Sequence, residues 1–337
     1  MKKKILIVVV VLAVMAGFWL VSRRSAPVTS NQLKIVVASW PAYVLTKPVA
    51  GELAQVTLLG NQPSDPHNLV TNPAMIKQLA LADVVVRQGT GLEPWLNSLL
   101  ETAGNTKLKV IDLSEGSEKI MDVRNLYDVK AGSSCDRKGG VWNECGPNEC
   151  QASGGEICPQ MCGPAICQIK EEDPHLWLDP VSASLEVKTL GIKLTQITGD
   201  STYQARALEQ AIGLASLVKV GTDKLAGLAN KKIIVQHPFL AYLAKRLGLT
   251  QLASFEETPG QEPSAKDLAR IASLVKRHKI KSVFVEPEEV EPYIENFAKE
   301  INLRLVPLDP MERGEYVPDY YQKVFEANIN SIIDGLK

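Results

Sequence analysis

Short apolar segments alternate with helical segments over two long regions of this chain, and this alternation restricts the folds open to it. The run LKIVVAS, which begins at Leu33, is rich in β-branched residues and is typical of a strand buried in a parallel sheet. Similar runs recur up to LKVIDLS (108–114), and again from KKIIVQH (231–237) to LRLVPLDP (303–310). Strand–helix–strand alternation at this spacing predicts parallel sheets with helices on both faces.

A predominantly helical stretch separates the two alternating regions. From about residue 180 to 230 there is no strand signal, and apolar residues between Tyr203 and Leu225 recur near helical spacing. The predicted fold is α/β, with two similar parallel-sheet lobes joined by a long backbone helix and a cleft between them. The predicted division comprises an N-terminal segment (1–30), a first lobe (31–200), the connecting helix (201–230) and a second lobe (231–337).

The N-terminal segment combines lysines with an unbroken apolar run from Ile5 to Val21. This length is at the short limit for a transmembrane helix and slightly long for a signal-peptide core. No clear A-x-A cleavage site follows, and the first cysteine is Cys135, so lipid attachment is not expected. We predict an uncleaved membrane anchor with the rest of the protein outside the cytoplasm. A cleaved signal, which would leave a secreted or periplasmic protein, is the alternative.

All six cysteines fall in one Gly-, Pro- and Asn-rich stretch, which we interpret as an insertion over residues 133–170 of the first lobe. An even number in such a stretch predicts disulfides formed in an oxidising compartment, although the sequence does not fix their pairing. A thiolate metal cluster is the weaker alternative, because the spacing lacks the paired C-x-x-C pattern of zinc knuckles. The disulfide candidates are Cys135, Cys145, Cys150, Cys158, Cys162 and Cys167.

Three of the four histidines occur in settings that indicate a metal site. His67 and His175 each follow Asp-Pro, and His237 ends the run KKIIVQH. Functional groups in open α/β sheets collect beyond the carboxyl ends of strands, and Asp309 occupies such a position after LRLVPL. Three imidazoles and one carboxylate suit the tetrahedral coordination of Zn²⁺. We therefore predict a metal site in the cleft between the lobes, although Asp-Pro also begins ordinary turns.

Other residues near this site have supporting or unrelated predicted roles. Glu262 and Glu286 are expected to replace a ligand or to hold an imidazole through its other nitrogen. Trp95 and Trp177 are expected to pack around the cleft. His278 lies near a helix C-terminus beside Arg and Lys, where its charge would suit the helix dipole, so we exclude it from the site.

The chain resembles the zinc/manganese substrate-binding proteins of ABC importers from about Lys34 to Lys337, with an interruption only at the cysteine-rich insertion. The resemblance rests on the segments DPH (65–67), NPAMIKQLALADVVV, GLEPWL, DPHLWLDP, VQHPFLAYLAKRLGL, EETPGQEPSAKDL, VFVEP and LDP, in this order. It implies the ligands His67, His175, His237 and Asp309. Manganese members typically place a carboxylate at the third position, so the histidine there favours zinc. Zinc members often have a His- or acid-rich loop where this chain has the cysteine-rich insertion.

The resemblance implies a receptor that binds Zn²⁺, or alternatively Mn²⁺, and passes it to the membrane permease of an ABC importer. We expect a monomer that is attached to the membrane through its N-terminal segment. The balance of 37 Lys and Arg against 38 Asp and Glu gives no indication of nucleic-acid binding.

Two alternatives to a receptor remain, a metal-dependent hydrolase and an adhesin-like ectodomain with a structural metal. H-E-x-x-H, G-x-S-x-G, P-loop and G-x-G-x-x-G motifs are absent from the sequence, so we predict that the protein is not an enzyme. A structural metal site would be expected to unfold when its metal is removed, which a transport receptor must survive.

Overall fold

The computed structural model describes residues 32–61, 65–119, 121–126, 141–143, 166–256, 262–287 and 290–337. The predicted N-terminal anchor and five of the six disulfide candidates lie outside these residues, and Cys167 lies in a strand of which only the backbone is described. Within the described ranges, no helix has both the length and the hydropathy that a membrane crossing requires.

The first lobe is built on a parallel four-stranded sheet in the order β2-β1-β3-β4. Its strands are β1 (Leu33–Val37), β2 (Ala54–Leu58), β3 (Val84–Arg87) and β4 (Lys109–Asp112), and its helices are α1 (Trp40–Ala50), α2 (Pro73–Leu81) and α3 (Leu96–Ala103). The central position of β1 is clear from Ile35, which pairs with Val56 on one side and Val84 on the other. Such a strand is covered on both faces, which explains its continuous apolar run.

A second, antiparallel sheet follows the first lobe in the chain. It consists of β5 (Met121–Leu126), β6 (Val141–Asn143) and β7 (Ile166–Glu172), in the order β5-β7-β6. The sequence predicts only an insertion in this region, because these segments mix polar with apolar residues and lack a continuous apolar run. Strand β7 ends one residue before Asp173 and so leads the chain directly to His175.

Two long helices join the lobes. They are α4 (Pro180–Thr198), which follows a short 3₁₀ turn (Leu176–Leu178), and α5 (Thr202–Leu225). Asp179 caps α4 by accepting hydrogen bonds from the backbone N–H groups of Val181 and Ser182, and Pro180 occupies the first helical position. The two helices approach closely at Gly191, where an added Cβ would lie 2.3 Å from the Cβ of Ala207. The helices therefore pack as one unit.

The second lobe repeats the architecture of the first, with a parallel sheet in the order β11-β10-β8-β9. Its strands are β8 (Lys232–Val235), β9 (Thr250–Ser254), β10 (Ser282–Val285) and β11 (Arg304–Pro307), and its helices are α6 (Ala241–Leu247), α7 (Ala265–His278), α8 (Pro292–Glu300) and α9 (Tyr320–Leu336). In both sheets the first strand in the chain lies between the second and the third. The predicted α/β fold with two similar lobes is therefore confirmed, whereas the residue ranges proposed for the domains stay a prediction.

One hydrophobic core runs through both lobes and the helices between them. It includes Val37 of the first sheet, Leu190 of α4, Leu214 of α5, and Phe239 and Phe325 of the second lobe. Because burial of such apolar side chains is the main stabilising contribution to a fold, this shared core resists separation of the lobes. The ends of the strands from both lobes are thus held in a fixed relation around the cleft.

Candidate metal centre

The fold brings the three predicted histidines together. His67 lies in the loop between β2 and α2, His175 follows β7, and His237 comes two residues after the end of β8. One ligand nitrogen from each lies within 4.8 Å of the others, and in the described part of the chain no other group of His, Cys, Asp and Glu side chains meets this condition. His175 and His237 are buried, whereas His67 is partly exposed.

The repeated Asp-Pro-His motif forms the same turn twice. The Oδ1 atom of Asp65 accepts a hydrogen bond from the backbone N–H of His67 at 2.8 Å, and Asp173 does the same for His175 at 2.9 Å. An aspartate that bonds the backbone two residues later is a recurring device for fixing a turn. The motif therefore sets the backbone position of two of the three histidines.

Two buried carboxylates orient the rings of His175 and His237. The Nδ1 atom of His175 lies 2.7 Å from Oδ1 of Asp173, and the Nδ1 atom of His237 lies 2.6 Å from Oε1 of Glu286. A carboxylate accepts, so each Nδ1 carries the proton and each Nε2 presents a lone pair, as in the carboxylate–histidine pairs of metal sites. Glu286 was predicted for this role, and Asp173 was missed although it begins the second Asp-Pro-His motif.

The surroundings of His175 favour the neutral ring that binds a metal. Burial is the largest cause that lowers the pKa of His175, and the neighbouring Asp173 carboxylate opposes it. Its Nε2 atom is buried and has no hydrogen-bond partner within the described residues. Since buried polar atoms are nearly always paired, this nitrogen is a strong indication of a bound ligand.

The loop after β11 carries two acids, Asp309 and Glu312, which differ in their relation to the three histidines. Asp309, the predicted fourth ligand, is not in the group of mutually close ligand atoms, and its Oδ1 accepts a hydrogen bond from the backbone of Met311 at 2.7 Å. Glu312, which was not among the predicted site residues, is buried and places Oε1 3.9 Å from Nε2 of His175. Its only signal in the sequence is an acid three residues after Asp309. Glu262 is exposed and also lies outside the group.

Trp95 and Trp177, which were predicted to pack around the cleft, each form a hydrogen bond with a loop of the site. The indole N–H of Trp95 donates to the carbonyl of Pro66, next to His67, at 2.8 Å. The indole N–H of Trp177 donates to the carbonyl of Pro310, next to Asp309, also at 2.8 Å. Each tryptophan therefore packs and also fixes a loop that carries a candidate ligand.

A cavity of about 200 Å³ opens beside the histidines on the side of the second lobe. Its lining includes Glu286, Asp309 and Glu312, together with Arg313 and Tyr320. Glu286 contacts His237 and Glu312 approaches His175, so the cavity adjoins the rings of these two histidines. Imidazole nitrogens flanked by carboxylates make a donor set that suits a divalent transition metal.

Comparisons with known proteins agree with this geometry. The chain is 27% identical over 327 residues to the zinc-binding lipoprotein AdcA of Streptococcus pneumoniae strain R6, which covers 95% of this chain and 59% of that protein. It is 25% identical over 299 residues to the high-affinity zinc uptake system protein ZnuA of Bacillus subtilis, with 86% and 82% covered. The chain thus spans less than two thirds of the length of AdcA.

Solved structures show the same fold. A crystal structure of a Zn(II)-bound variant of AdcAII from Streptococcus pneumoniae superposes with a TM-score of 0.72 at 28% identity, covering 92% of this chain and all of that one. A crystal structure of ZnuA gives a TM-score of 0.69 at 24% identity, with 91% of this chain and all of the other covered. The model of the family described as ZnuA, zinc-uptake complex component A periplasmic, matches residues 35–335. This chain belongs to that family.

Proposed function

We propose that this protein is an extracytoplasmic receptor that binds Zn²⁺ between its two lobes and delivers it to the permease of an ABC importer. The observation that carries the proposal is the convergence of three imidazoles from distant parts of the chain within 4.8 Å of one another. Membership of the zinc-uptake family and the zinc-binding names of the relatives support it. Transport rather than catalysis is the role we assign to the bound ion.

His67, His175 and His237 are the ligands we propose from the histidine cluster. Glu312 is the better candidate for a fourth. Zinc bonds of about 2.1 Å in a tetrahedron separate neighbouring ligand atoms by about 3.4 Å. The 3.9 Å between Glu312 Oε1 and His175 Nε2 needs only a small adjustment to meet this value. Asp309, the original prediction, would have to give up its hydrogen bond to Met311 if the same oxygen were to bind.

The donor set favours zinc as the transported ion. Zinc accepts imidazole nitrogens readily in a tetrahedral site, whereas manganese prefers carboxylate, carbonyl and water oxygens. His237 supplies a nitrogen where a carboxylate would have favoured manganese. The carboxylates of Asp173 and Glu286 act on the rings, because they hold the neutral tautomer and raise the basicity of the ligand nitrogens.

Release of the ion has to proceed without wide separation of the lobes. The core that includes Leu190, Leu214 and Phe239 is shared by both lobes, so a large hinge movement would expose apolar surface. Movement of the ligand loops is the smaller change, and it is the release step that we propose. The permease, the membrane attachment through the N-terminal segment and the monomeric state complete the proposed arrangement.

The test is the metal content of the purified full-length protein, measured by mass spectrometry before and after dialysis against a chelator. We expect a single zinc ion per chain that the chelator removes while the circular dichroism spectrum stays that of the folded protein. A double variant, His67→Ala with His237→Ala, should lose the zinc, and His278→Ala serves as the matched control that keeps it.

Two outcomes would contradict the proposal in different ways. Zinc retained by the double variant would place the metal on the cysteines. Unfolding of the protein when the chelator removes the metal would indicate a structural site.

A further inference from the structure

Two buried polar side chains, Gln236 and Glu256, lie at the end of the second sheet that faces the metal centre. Gln236 follows β8 and precedes the ligand His237, and Glu256 comes two residues after the end of β9. Each is 3% exposed. A buried amide or carboxylate is costly to the fold unless it is hydrogen-bonded. The partners of these two side chains connect them to the metal centre.

The backbone of Gln236 joins the ends of three strands. Its N–H donates to the carbonyl of Phe284 in β10 at 2.7 Å. Its carbonyl accepts from the N–H groups of Phe255 and Glu256, just beyond β9, both at 2.9 Å. Because His237 is the next residue in the chain, these bonds also fix the point from which the ligand ring projects.

The side chain of Gln236 bridges two acidic residues. Its Oε1 accepts from the backbone N–H of Glu286 at 3.4 Å, and its Nε2 donates to Oε1 of Glu256 at 3.3 Å. An amide group has one acceptor end and one donor end, and this orientation satisfies both contacts. Glu286 in turn bonds Nδ1 of His237 at 2.6 Å. Gln236 therefore connects Glu256 with the residue that orients a ligand ring.

Tyr293 of α8 holds the far end of this network. Its hydroxyl donates to Oε1 of Glu256 at 2.8 Å. Burial, and after it the hydrogen bond to Glu256, raise the pKa of Tyr293, so the hydroxyl keeps its proton and remains a donor. The tyrosine also packs against a hydrophobic cluster of the second lobe that includes Ile234 and Phe255. The carboxylate of Glu256 is thus held by two donors, one of which is attached to packed apolar side chains.

We propose that Gln236 and Glu256 are positioning residues of the zinc site, which act on His237 through Glu286. This inference rests on the proposed function as a zinc receptor. Glu256 fixes the amide of Gln236, and the amide fixes the backbone of Glu286, so the Glu286 carboxylate meets Nδ1 of His237 and leaves Nε2 directed at the ion. Loss of a direct outer partner weakens metal binding about 10–100-fold, and Gln236 stands one bond further out.

The first test replaces the amide with an apolar side chain of similar length. We expect Gln236→Met to weaken zinc binding about tenfold, at the low end of the range for outer partners, in competition with a chromophoric chelator. Gln88→Met is the matched control. Gln88 is also a buried glutamine directly after a sheet strand, and its side chain donates to the buried Glu186 of α4. The control should lose stability and keep its zinc affinity, whereas equal weakening in both variants would overturn the proposal.

A double-mutant cycle tests whether Gln236 acts through Glu286. Zinc affinity is measured for Gln236→Met, Glu286→Gln and the double variant. If the amide acts by placing the Glu286 carboxylate, its replacement should have little further effect in the Glu286→Gln background, because contacting residues of one network are not additive. A merely structural defect would weaken binding equally in both backgrounds, and this result would contradict the proposal.

A milder variant keeps the proposal testable if Gln236→Met does not fold. Glu256→Gln keeps an acceptor for Tyr293 and for Gln236 but removes its charge, so we expect zinc binding about threefold weaker. With Co²⁺ in place of zinc, the visible absorption spectrum of Glu256→Gln should differ from that of the parent, and Gln88→Met should keep the parent spectrum. Parent-like affinity and spectrum in Glu256→Gln would overturn the positioning role. Removable zinc in the parent would still support the receptor function, so the two failures are distinguishable.

Discussion

The two Asp-Pro-His turns have the same local structure and different surroundings. In each, the aspartate bonds the backbone N–H of the histidine. Asp173 also accepts a hydrogen bond from the ring of the buried His175, whereas the second oxygen of Asp65 accepts from the side chain of Asn68 at 3.0 Å. His67 is also the more exposed of the two. The Asp-Pro-His tripeptide therefore fixes the backbone in both turns. Whether its aspartate also bonds the histidine ring depends on the burial and the neighbours of each turn.

Removal of a ring tests whether both turns supply a ligand. We expect His175→Ala and His67→Ala each to weaken zinc binding more than about 100-fold, because loss of a ligand should exceed the 10–100-fold effect of its outer partners. Competition with a chromophoric chelator gives the affinities. His278→Ala should bind zinc as the parent does. Parent-like affinity in His67→Ala would show that the first turn only resembles the second.

Neutralising the aspartates tests the difference between the turns directly. Asp173→Asn should weaken zinc binding about 10–100-fold, because the amide cannot support the His175 ring as the carboxylate does. Asp65→Asn keeps an oxygen for the backbone N–H of His67 and should change the affinity much less. The same chelator competition measures both variants. Equal losses would mean that Asp65 acts on its own ring as well, and the proposed contrast would fail.

The sequence was sufficient to predict the two lobes, and the three histidines that it predicts as ligands lie together in the fold. Buried parallel strands leave continuous apolar runs, so β1 and β8 were visible, and His237 could be placed at a strand end. The β5-β7-β6 sheet left no such run. The pattern of residue types along the sequence does not show in which direction a side chain points. The bond between Asp173 and the His175 ring depends on that direction, so it could not be predicted.

Glu312 shows why the rest of the site could not be predicted. The loop after β11 has no periodicity, and Met311 turns the chain with a φ of 58°, in the left-handed region. This turn, held by the bond from Met311 to Asp309, brings the acid three residues later near His175. A sequence pattern identifies Asp-Pro as a turn and does not show which following side chain faces the cleft.

A second pair of acids extends the comparison to the second lobe. Glu312→Gln should weaken zinc binding about tenfold or more, because it would remove the charged oxygen that we place on the ion. Asp309→Asn should have a smaller effect on affinity, since Asp309 lines the adjoining cavity. Isothermal titration of both variants decides between them. A larger loss in Asp309→Asn would restore Asp309 as the fourth ligand and place Glu312 outside the coordination sphere.

The smallest expected effect concerns how the His175 turn is attached to the second lobe. Asp179, four residues after His175, is buried and forms two 2.9 Å hydrogen bonds with Arg246 of α6. Arg246→Ala should lower the free energy of unfolding by about 1 kcal/mol, less than for a fully buried pair, because Arg246 is partly exposed. Lys245→Ala, which breaks the exposed pair with Glu118, should leave the urea unfolding midpoint unchanged. If the midpoint is also unchanged in Arg246→Ala, Asp179 stabilises the turn at His175 through its helix cap alone. The His175 turn would then be no more firmly attached than the His67 turn.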